Sequence, residues 1–513
     1  MGRVDKGVDV SYTFLWSDIK MNLHNNLLDY LDNTARRIPD KIAFTDEQER
    51  VSFADLQTLG QQIGTYIARR ASAACRPVAV LTTHTVADLA TFIGAMYAGC
   101  FYVPIDASAP PDHVKARLDA INPAVIIDAK TLSDLPGSDI DRDLLAQIRK
   151  NVVSVDPAYA IFTSGSTGIP KAALVSHGSA VNLIEWLCDT FRFSEQTVFA
   201  GQAPFYFDSS VQEIYATIKC GSTTHLVPRK YFISPLKVLR YVEEIGANVM
   251  PWAAAAVKLI ANSGVFEKYA PSGVTNVIFG GENMPGKILN IWRRAMPHTQ
   301  FTNVYGPTET TVECSFYTVA RDLSDDESVP IGHPVWNTEL LLLDEHQKPV
   351  PKGGVGELYV RGIQVGLGYY NNPERTAEAF IQNPNTNYRD TIYRTGDIAK
   401  WNEHGELVFL NRVDNQVKHM GSRIELGEVE AVTAAMPGVR LVCCGYDKKA
   451  SKILLFYEGD MTEKELAKTL AAKLPRYMCP NVTMKIDQMP VTPNGKIDRL
   501  RVRKQYYDES ESL

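Results

Sequence analysis

Hydrophobic residues recur along this chain with helical and strand periods in alternation. Near the N-terminus, four leucines recur at helical spacing: Leu23, Leu27, Leu28 and Leu31. Ser52 is a good N-cap for a second helix, whose inner face we expect to contain Leu56, Leu59, Ile63 and Ile67. Short apolar runs at 41–45, 78–81 and 276–279 predict strands between such helices. This rhythm predicts a multi-domain α/β protein with parallel sheets.

From about residue 335 the pattern changes to short strands and glycine turns. Strands are expected at 339–343, 356–360 and 406–409, and the last hundred residues mix helix (426–436) with strand (453–456). The resulting domain prediction is an irregular start or tag (1–20), a large N-terminal domain (21–413) with a β-rich subdomain (about 335–413), a small mobile α+β C-terminal domain (414–507) and a tail (508–513).

Composition is that of an ordinary globular enzyme. The 513 residues are 45% hydrophobic and 22% charged with a net charge of −6, which gives no reason to expect nucleic acid as a partner. No apolar run approaches the ~18 residues that a membrane helix needs. The eight cysteines show no C-x-x-C pair and no metal spacing, as in reduced cytoplasmic proteins. We expect a cytoplasmic monomer.

The run Thr163-Ser-Gly-Ser-Thr-Gly-Ile-Pro-Lys171 follows an apolar strand and is rich in small residues and hydroxyls. Such a loop can surround a phosphate with backbone N–H groups, because no bulky side chain blocks the approach. It is not a Walker loop, since position 163 is threonine and Lys171 is followed by alanine. The alternative is an ordinary surface turn.

Six further segments occur in order with this loop: 102–106 (YVPID), 207–210 (FDSS), 303–309 (NVYGPTE), 393–397 (YRTGD), 412–425 (RVDNQVK and GSRIE) and 493–498 (PNGKID). Together the seven segments closely resemble the adenylate-forming (ANL) superfamily. The likeness is to amino-acid adenylation domains of nonribosomal peptide synthetases and to stand-alone D-alanine–carrier protein ligases, and it covers residues 21 to 505. Two departures, Asn411 and His419-Met420, lie near the expected hinge.

The resemblance implies an ATP site. The β- and γ-phosphates would be held by Thr163, Ser164, Gly165, Ser166, Thr167, Gly168 and Lys171. Tyr305 would stack on adenine, Thr308 would meet the α-phosphate, and Glu309 would bind Mg²⁺, which prefers oxygen ligands. The ribose hydroxyls would be bound by Asp397 with Arg412 nearby. Further nucleotide-site positions are Gly281, Asn303, Gly306 and Phe409.

Asp208 separates branches of this superfamily. In the amino-acid activators that the chain resembles, this aspartate pairs with the substrate's α-ammonium group, whereas acyl-CoA and aryl-CoA ligases lack the charge. A buried carboxylate is costly unless a cation meets it, so an amine-bearing ligand would explain the residue. The alternative is a helix N-cap for residues 211 to 219.

The C-terminal motifs imply a moving catalytic group. Lys496 resembles the lysine that bridges the substrate carboxylate and the α-phosphate, where it stabilises charge in the transition state. Asp414 matches the hinge on which the small domain rotates between adenylation and thioester formation. Gly421 matches the glycine that opens a path for the pantetheine arm. The catalytic residues implied are therefore Lys496, Glu309 and Thr308.

The side-chain pocket implied by resemblance contains Asp208, Ser209, Gln212, Val249, Ile278, Gly280, Val304, Val312 and Glu313, with Lys496. Gly280 stands where D-alanine ligases usually have cysteine. A desolvated Glu313 needs a cation or a donor, which favours a polar or basic substrate of the lysine, ornithine, arginine or glutamine type. The alternative is that Glu313 turns to solvent or pairs with a nearby base.

The function expected from the resemblance is ATP-dependent conversion of an amino acid to aminoacyl-AMP with release of pyrophosphate. The aminoacyl group would then pass to the phosphopantetheine thiol of a separate carrier protein, because no carrier, condensation or thioesterase motif follows. The alternatives are a D-alanine–carrier protein ligase, a carboxylate–CoA ligase, or a non-catalytic nucleotide-binding paralogue.

Overall fold

The computed structural model describes residues 26–133, 135, 139–163, 170–351, 353–412, 416–448, 450–491 and 497–508. Its strands within these ranges are β1 Ile42–Thr45, β2 Arg50–Ser52, β3 Pro77–Thr82, β4 Phe101–Asp106, β5 Val125–Ile127, β6 Pro157–Thr163, β7 Lys171–Ser176, β8 Val198–Gly201, β9 Thr223–Leu226, β10 Val249–Ala253, β11 Asn276–Gly280, β12 Gln300–Tyr305, β13 Ser315–Thr318, β14 His333–Pro334, β15 Thr338–Leu343, β16 Val355–Gly362, β17 Gly368–Tyr369, β18 Phe380–Gln382, β19 Thr391–Trp401, β20 Leu407–Arg412, β21 Gln416–His419, β22 Ser422–Glu425, β23 Val439–Asp447, β24 Lys452–Gly459 and β25 Val482–Lys485.

The α-helices within the same ranges are α1 Leu28–Arg37, α2 Phe53–Ala68, α3 Val86–Tyr97, α4 Pro111–Ile121, α5 Ala129–Ser133, α6 Arg142–Arg149, α7 His177–Thr190, α8 Ser210–Cys220, α9 Pro235–Glu244, α10 Ala254–Asn262, α11 Gly286–Ala295, α12 Pro373–Ala379, α13 Leu426–Ala434, α14 Glu463–Lys473 and α15 Arg499–Arg503. Short 3₁₀ turns at Thr308–Thr310 and Arg476–Met478 matter for the site below.

Two large sheets form the body of the described chain. One has six strands in the order β17-β7-β6-β4-β3-β5, and the other has nine in the order β14-β13-β12-β11-β10-β8-β9-β1-β2. The neighbouring strands β9, β8, β10, β11 and β12 are parallel, which confirms the predicted parallel sheet. Helices α1, α2, α3, α7 and α8 share one apolar core with the facing strands of both sheets.

The helix patterns were largely correct. The hydroxyl of Ser52 accepts a hydrogen bond from the backbone N–H of Asp55 and caps α2 as predicted. Leu56, Ile63 and Ile67 are buried, but Leu59 is 40% exposed, so its assignment to the inner face was wrong. That face is narrower than the sequence indicated, because α2 packs mainly on α3 along a glycine contact: a Cβ at Gly60 would lie 2.5 Å from Ile93. Leu23 lies outside the described residues.

The β-rich segment predicted after 335 forms a sheet in which β15, β16, β19 and β18 are neighbours and β20 pairs with β19. Residues 416–508, named here the C-terminal region, contain the hairpin β21–β22 and the sheet β23-β24-β25. The helix predicted over 426–436 ends at Ala434. The expected boundary at 413/414, the N-terminal segment 1–20 and the tail beyond 508 fall outside the described residues, so the domain division remains a prediction. No helix in the described ranges is long and apolar enough to span a membrane.

Candidate active site

A cleft lies at the carboxyl ends of strands from both large sheets. Thr163 ends β6, Gly281 follows β11 and Gly306 follows β12, and all three line the cleft. This edge is where α/β sheets bind their ligands. The C-terminal region covers the opposite side with Lys418, Gly421, Glu428, Tyr477 and Met478. The cleft holds about 800 Å³, part of which is open to solvent.

The flanks of the predicted phosphate loop lie at this cleft. Thr163 and Lys171 pair across the antiparallel strands β6 and β7, and the Thr163 hydroxyl donates to the carbonyl of Lys171 at 3.5 Å. The ammonium of Lys171 lies 5.0 Å from the centre of the Tyr369 ring. Ser164, Gly165, Ser166, Thr167 and Gly168 lie outside the described residues, and their phosphate contacts remain a prediction.

Glu309 is a buried carboxylate beside this loop. It lies in the 3₁₀ turn 308–310, is 1% exposed, and accepts a hydrogen bond of 2.7 Å from the Tyr369 hydroxyl. Its backbone carbonyl accepts from the N–H of Gly366 at 2.8 Å. A carboxylate fixed in this way beside a lysine offers oxygen to a hard cation. No three His, Cys, Asp or Glu side chains of the described residues gather into a metal site, so an ion at Glu309 would need oxygens from the nucleotide as well.

Asp397 already has partners in this structure. Arg412 forms an ion pair with its Oδ1, and the Tyr305 hydroxyl donates to its Oδ2. The β19–β20 pairing sets Asp397 directly opposite Arg412. The predicted ribose aspartate and its arginine are therefore together, and the predicted adenine tyrosine holds the same carboxylate.

A second cavity contains four of the predicted nucleotide-site residues. Gly281, Asn303, Tyr305 and Phe409 line it together with Lys418, whose ammonium lies 5.1 Å from the centre of the Tyr305 ring. The amide nitrogen of Asn303 donates to the carbonyl of Pro330 at 2.8 Å, which fixes that wall. Gly306 has a steric role: a Cβ there would lie 2.4 Å from the Val312 carbonyl oxygen.

Asp208 lines the cleft and does not cap α8. The residue at the N-cap position is Ser209, and no side chain supplies a capping hydrogen bond, so the N-cap alternative is wrong. Burial raises the pKa of Asp208 above its usual value, and the nearby carboxylate of Glu309 adds to the rise. The Thr308 side chain and the charge of Lys418 oppose it. The carboxyl thus stands at the cleft wall beside the 305–309 turn.

The remaining predicted pocket positions lie on strands β10, β11 and β12, in the loop after β12 and on α8. Val249, Ile278, Val304 and Val312 belong to one buried apolar cluster, and β11–β12 pairing sets Gly280 opposite Val304. A Cβ at Gly280 would lie 2.5 Å from the Val304 carbonyl oxygen, so the strand contact itself requires glycine. Ser209 is the N-cap residue of α8, and Gln212 lies in the first turn of this helix and is buried.

Glu313 is the most unusual of these residues. It is 1% exposed, and neither carboxylate oxygen has a hydrogen-bond partner among the described atoms. Burial, with a contribution from Asp208, raises its pKa to about 8, against partial opposition from the Gln212 amide. The alternative that Glu313 turns to solvent is therefore wrong, and no base among the described residues pairs with it.

The backbone before Glu313 is strained. Thr311 and Val312 have φ of 56° and 69°, a region that β-branched residues rarely adopt. The segment 364–366 holds them there: the Thr311 hydroxyl donates to the Gln364 carbonyl at 2.8 Å, and the Gln364 amide donates to the Glu313 carbonyl at 3.0 Å. Strain held by buried contacts is typical of functional sites.

Of the three C-terminal residues singled out from the sequence, the structure describes only Gly421. Gly421 lines the cleft. It forms the two-residue turn of the β21–β22 hairpin together with Met420, and φ is 52° at Met420 and 80° at Gly421, as a tight hairpin turn requires. Lys496 and Asp414 lie outside the described residues. Ile497 packs with Leu454 and Phe456 on one face of the β23–β25 sheet, whereas the hairpin and α13 pack on the other face.

Sequence reasoning missed four residues: Tyr369, Gln364, Glu282 and Lys418. Tyr369 follows the Gly366-Leu-Gly368 segment, a signal that was available but not used. Lys418 stood inside a quoted motif without a role. Glu282 and Gln364 carried no local signal, since their partners Gly421 and Glu313 are far away in sequence.

Comparison with known proteins gives one family and a set of relatives. The family model described as AMP-binding enzyme matches residues 31–370. Gramicidin S synthase 2 of Brevibacillus brevis is 31% identical over 504 residues, covering 93% of this chain and 11% of that protein. The chain thus spans about a tenth of the length of such curated relatives.

Solved structures share the fold. The Vibrio cholerae adenylation domain AlmE, in complex with glycyl-adenosine-5'-phosphate, matches with a TM-score of 0.80 at 21% identity, over 100% of both chains. An NRPS protein containing adenylation and PCP domains matches with a TM-score of 0.80 at 22% identity, covering 94% of this chain and 98% of the other.

Proposed function

Because this chain belongs to the AMP-binding enzyme family, we propose that it activates an amino acid with ATP, releasing pyrophosphate, and transfers the aminoacyl group to a carrier protein. The relatives are peptide synthases, and the structure of AlmE contains a glycyl adenylate. The observation that carries the proposal is Asp208, whose carboxyl lines the cleft and which is not the N-cap residue of α8.

In this proposal ATP lies along the strand ends. Lys171, with Thr163 and the loop 164–168, holds the terminal phosphates, and the cavity lined by Gly281, Asn303, Tyr305 and Phe409 takes the adenine. Thr308 lies at the α-phosphate. Asp397 would give up the hydrogen bond that it accepts from the Tyr305 hydroxyl and would accept hydrogen bonds from the ribose hydroxyls instead. Arg412 would remain the ion-pair partner of the Asp397 carboxylate.

Glu309 would hold Mg²⁺ together with phosphate oxygens, which fits the preference of this ion for one or two carboxylates plus substrate phosphates. The ion would neutralise charge on the phosphates. The buried hydrogen bond from Tyr369 orients the carboxylate for this task.

The amino acid would lie with its ammonium on Asp208 and its carboxylate facing the α-phosphate position at Thr308. Attack of the carboxylate on phosphorus forms the mixed anhydride and expels pyrophosphate. Lys496 would stabilise the charge that develops there. The hairpin glycine Gly421, which already faces the cleft, would then border the path of the carrier thiol, which takes the acyl group and releases AMP.

A carboxylate–CoA ligase is the second candidate, and Asp208 argues against it. Substrates of such ligases bring no amine to offset a buried carboxylate. A carrier protein supplied as a separate chain, rather than as a neighbouring domain, remains part of the proposal.

The test is amino-acid-dependent ATP–pyrophosphate exchange over a panel of L- and D-amino acids. Asp208→Asn should raise the amino-acid KM on the order of 100-fold, since it removes the partner of a desolvated ammonium. Asp119→Asn, an exposed aspartate of α4 paired with Lys115, is the control. Unchanged exchange in the Asp208 variant, or activity only with fatty or aromatic acids and coenzyme A, would refute the proposal.

A further inference from the structure

Glu313 is a buried carboxylate that interacts with Asp208, at a position that the family resemblance assigns to the side-chain pocket. The residue is 1% exposed and both of its carboxylate oxygens lack a hydrogen-bond partner among the described atoms. Buried carboxylates are normally paired or hydrogen-bonded, because one without a partner destabilises the folded state. A buried carboxylate without a protein partner is therefore expected to meet a ligand.

Within the described part of the chain, the charged groups that act on Glu313 are other carboxylates, and none is a cation. Asp208 and Glu213 both interact electrostatically with Glu313, and the Oε2 atom of the buried Glu213 has no hydrogen-bond partner among the described atoms. No described Lys, Arg or His forms an ion pair with Glu313, and the positive charge of Lys418 acts on Asp208. Mutual repulsion between carboxylates makes a positive guest more favourable still.

The segment that carries Glu313 is also held in place. The strained residues Thr311 and Val312 and the clamp from Gln364 fix its backbone, so Glu313 cannot easily turn away to solvent. Ile278, Val304 and Val312, which the resemblance also assigns to the pocket, are apolar and belong to one buried cluster. Apolar residues next to a buried carboxylate suit a substrate side chain that has an aliphatic stem and a positively charged end.

Resting on the proposed function, we propose that the substrate is an α-amino acid whose aliphatic side chain ends in a cation, an ammonium or guanidinium group, that pairs with Glu313. Two carboxylates would then bind the two ends of the substrate. Asp208 would pair with the α-ammonium group, and Glu313 would pair with the cation at the end of the side chain. Neutral and acidic amino acids of similar length would leave Glu313 without a partner.

Binding would also move a proton. A carboxyl with a pKa of about 8 is mostly protonated at pH 7, and a bound cation favours its ionised form. The proton leaves Glu313 for the buffer as the ion pair forms. Asp208, Glu213 and Lys418 are the other titratable groups that bear on this step, so the measurement needs a comparison between ligands on the same enzyme.

The experiment combines exchange assays with calorimetry. Wild-type enzyme should support ATP–pyrophosphate exchange with lysine, ornithine or arginine at a kcat/KM at least 100-fold above that with glutamine, norleucine or glutamate. Glu313→Gln, which keeps the shape, should lose at least 30-fold with the preferred basic substrate and gain with norleucine or glutamine. Glu213→Gln, which changes a buried neighbour in the same way, should retain the basic preference.

Calorimetry in buffers of different ionisation enthalpy should show release of most of a proton when the basic amino acid binds at pH 7, and no such release in Glu313→Gln. Strongest exchange with a neutral or acidic amino acid would overturn this inference and leave the proposed function standing. Absence of exchange with every amino acid, in enzyme that still binds a fluorescent ATP analogue, would overturn both.

Discussion

The backbone N–H of Gly421 donates a hydrogen bond of 3.0 Å to Oε1 of Glu282. This bond joins the turn of the β21–β22 hairpin to the segment that follows β11. The other oxygen of Glu282 pairs with Lys258 of α10 at 2.8 Å. One partly buried carboxylate thus holds the hairpin against the cleft, on the side that we assign to the carrier thiol.

Removing this carboxylate should affect transfer more than adenylation. Hydrogen bonds to charged groups contribute about 1.5–3 kcal/mol, so Glu282→Ala should lower the ratio of carrier aminoacylation to pyrophosphate exchange by about 10-fold. Single-turnover transfer from preformed adenylate, measured beside exchange, checks this. Lys258→Met keeps the hairpin contact and is the control. An equal loss in both half-reactions of the Glu282 variant would contradict the assignment.

Tyr369→Phe should weaken the binding of Mg²⁺ at Glu309. The change removes the hydroxyl that orients Glu309 and leaves the ring beside Lys171 in place. Loss of a hydrogen bond that supports a metal-binding side chain typically costs 10–100-fold in metal affinity. The Mg²⁺ concentration for half-maximal exchange should therefore rise by about 10-fold. Tyr370→Phe, in which the ring still packs on Phe101, should leave it unchanged, and a shift in both variants would argue against a specific role.

Arg412→Met should destabilise the protein. Asp397 is 2% exposed, and the variant leaves its carboxylate with the Tyr305 hydroxyl but without its ion pair. Breaking a buried pair on one side costs about 3–5 kcal/mol. Urea unfolding should show a loss of that order, and Asp397→Asn combined with Arg412→Met should lose much less than the sum of the single changes. Additive losses would mean that the two side chains act separately.

Glu428 should make stability depend on pH. Burial, with a contribution from Glu425, raises its pKa to about 7, while Arg117 and Lys171 oppose the rise. The folded state therefore holds its proton more tightly than the unfolded chain. Stability should fall as pH rises from the ordinary carboxyl pKa towards 7, by up to about 3 kcal/mol from this group.

Glu428→Gln removes this penalty. The variant should match wild type near pH 4.5 and exceed its melting temperature at pH 8, where Glu428 is charged in both states of the wild-type protein. The same change at the exposed Glu374 of α12 serves as the control. A variant less stable than wild type at pH 8 would show that the charge of Glu428 stabilises the folded protein.

Local patterns in the sequence determined much of the protein. Ser52 caps its helix through its own near neighbours, and the strand at 276–279 follows from its apolar run. Asp208 stood out because its chemistry has little purpose without an amine. The first two inferences needed only short-range geometry, whereas the role of Asp208 also needed the resemblance to amino-acid activators.

The tertiary structure decided the rest. Tyr369 meets Glu309 across 60 positions, Gln364 clamps Glu313 across 51, and Lys418 lies over the Tyr305 ring. Leu59 shows the same limit, because its helical spacing could not reveal how closely α3 approaches at Gly60. Whether Glu313 is paired, solvated or left for a ligand depends on which strands and segments surround it. The strand order and the packing of the two sheets set those neighbours, and no local pattern of residues encodes them.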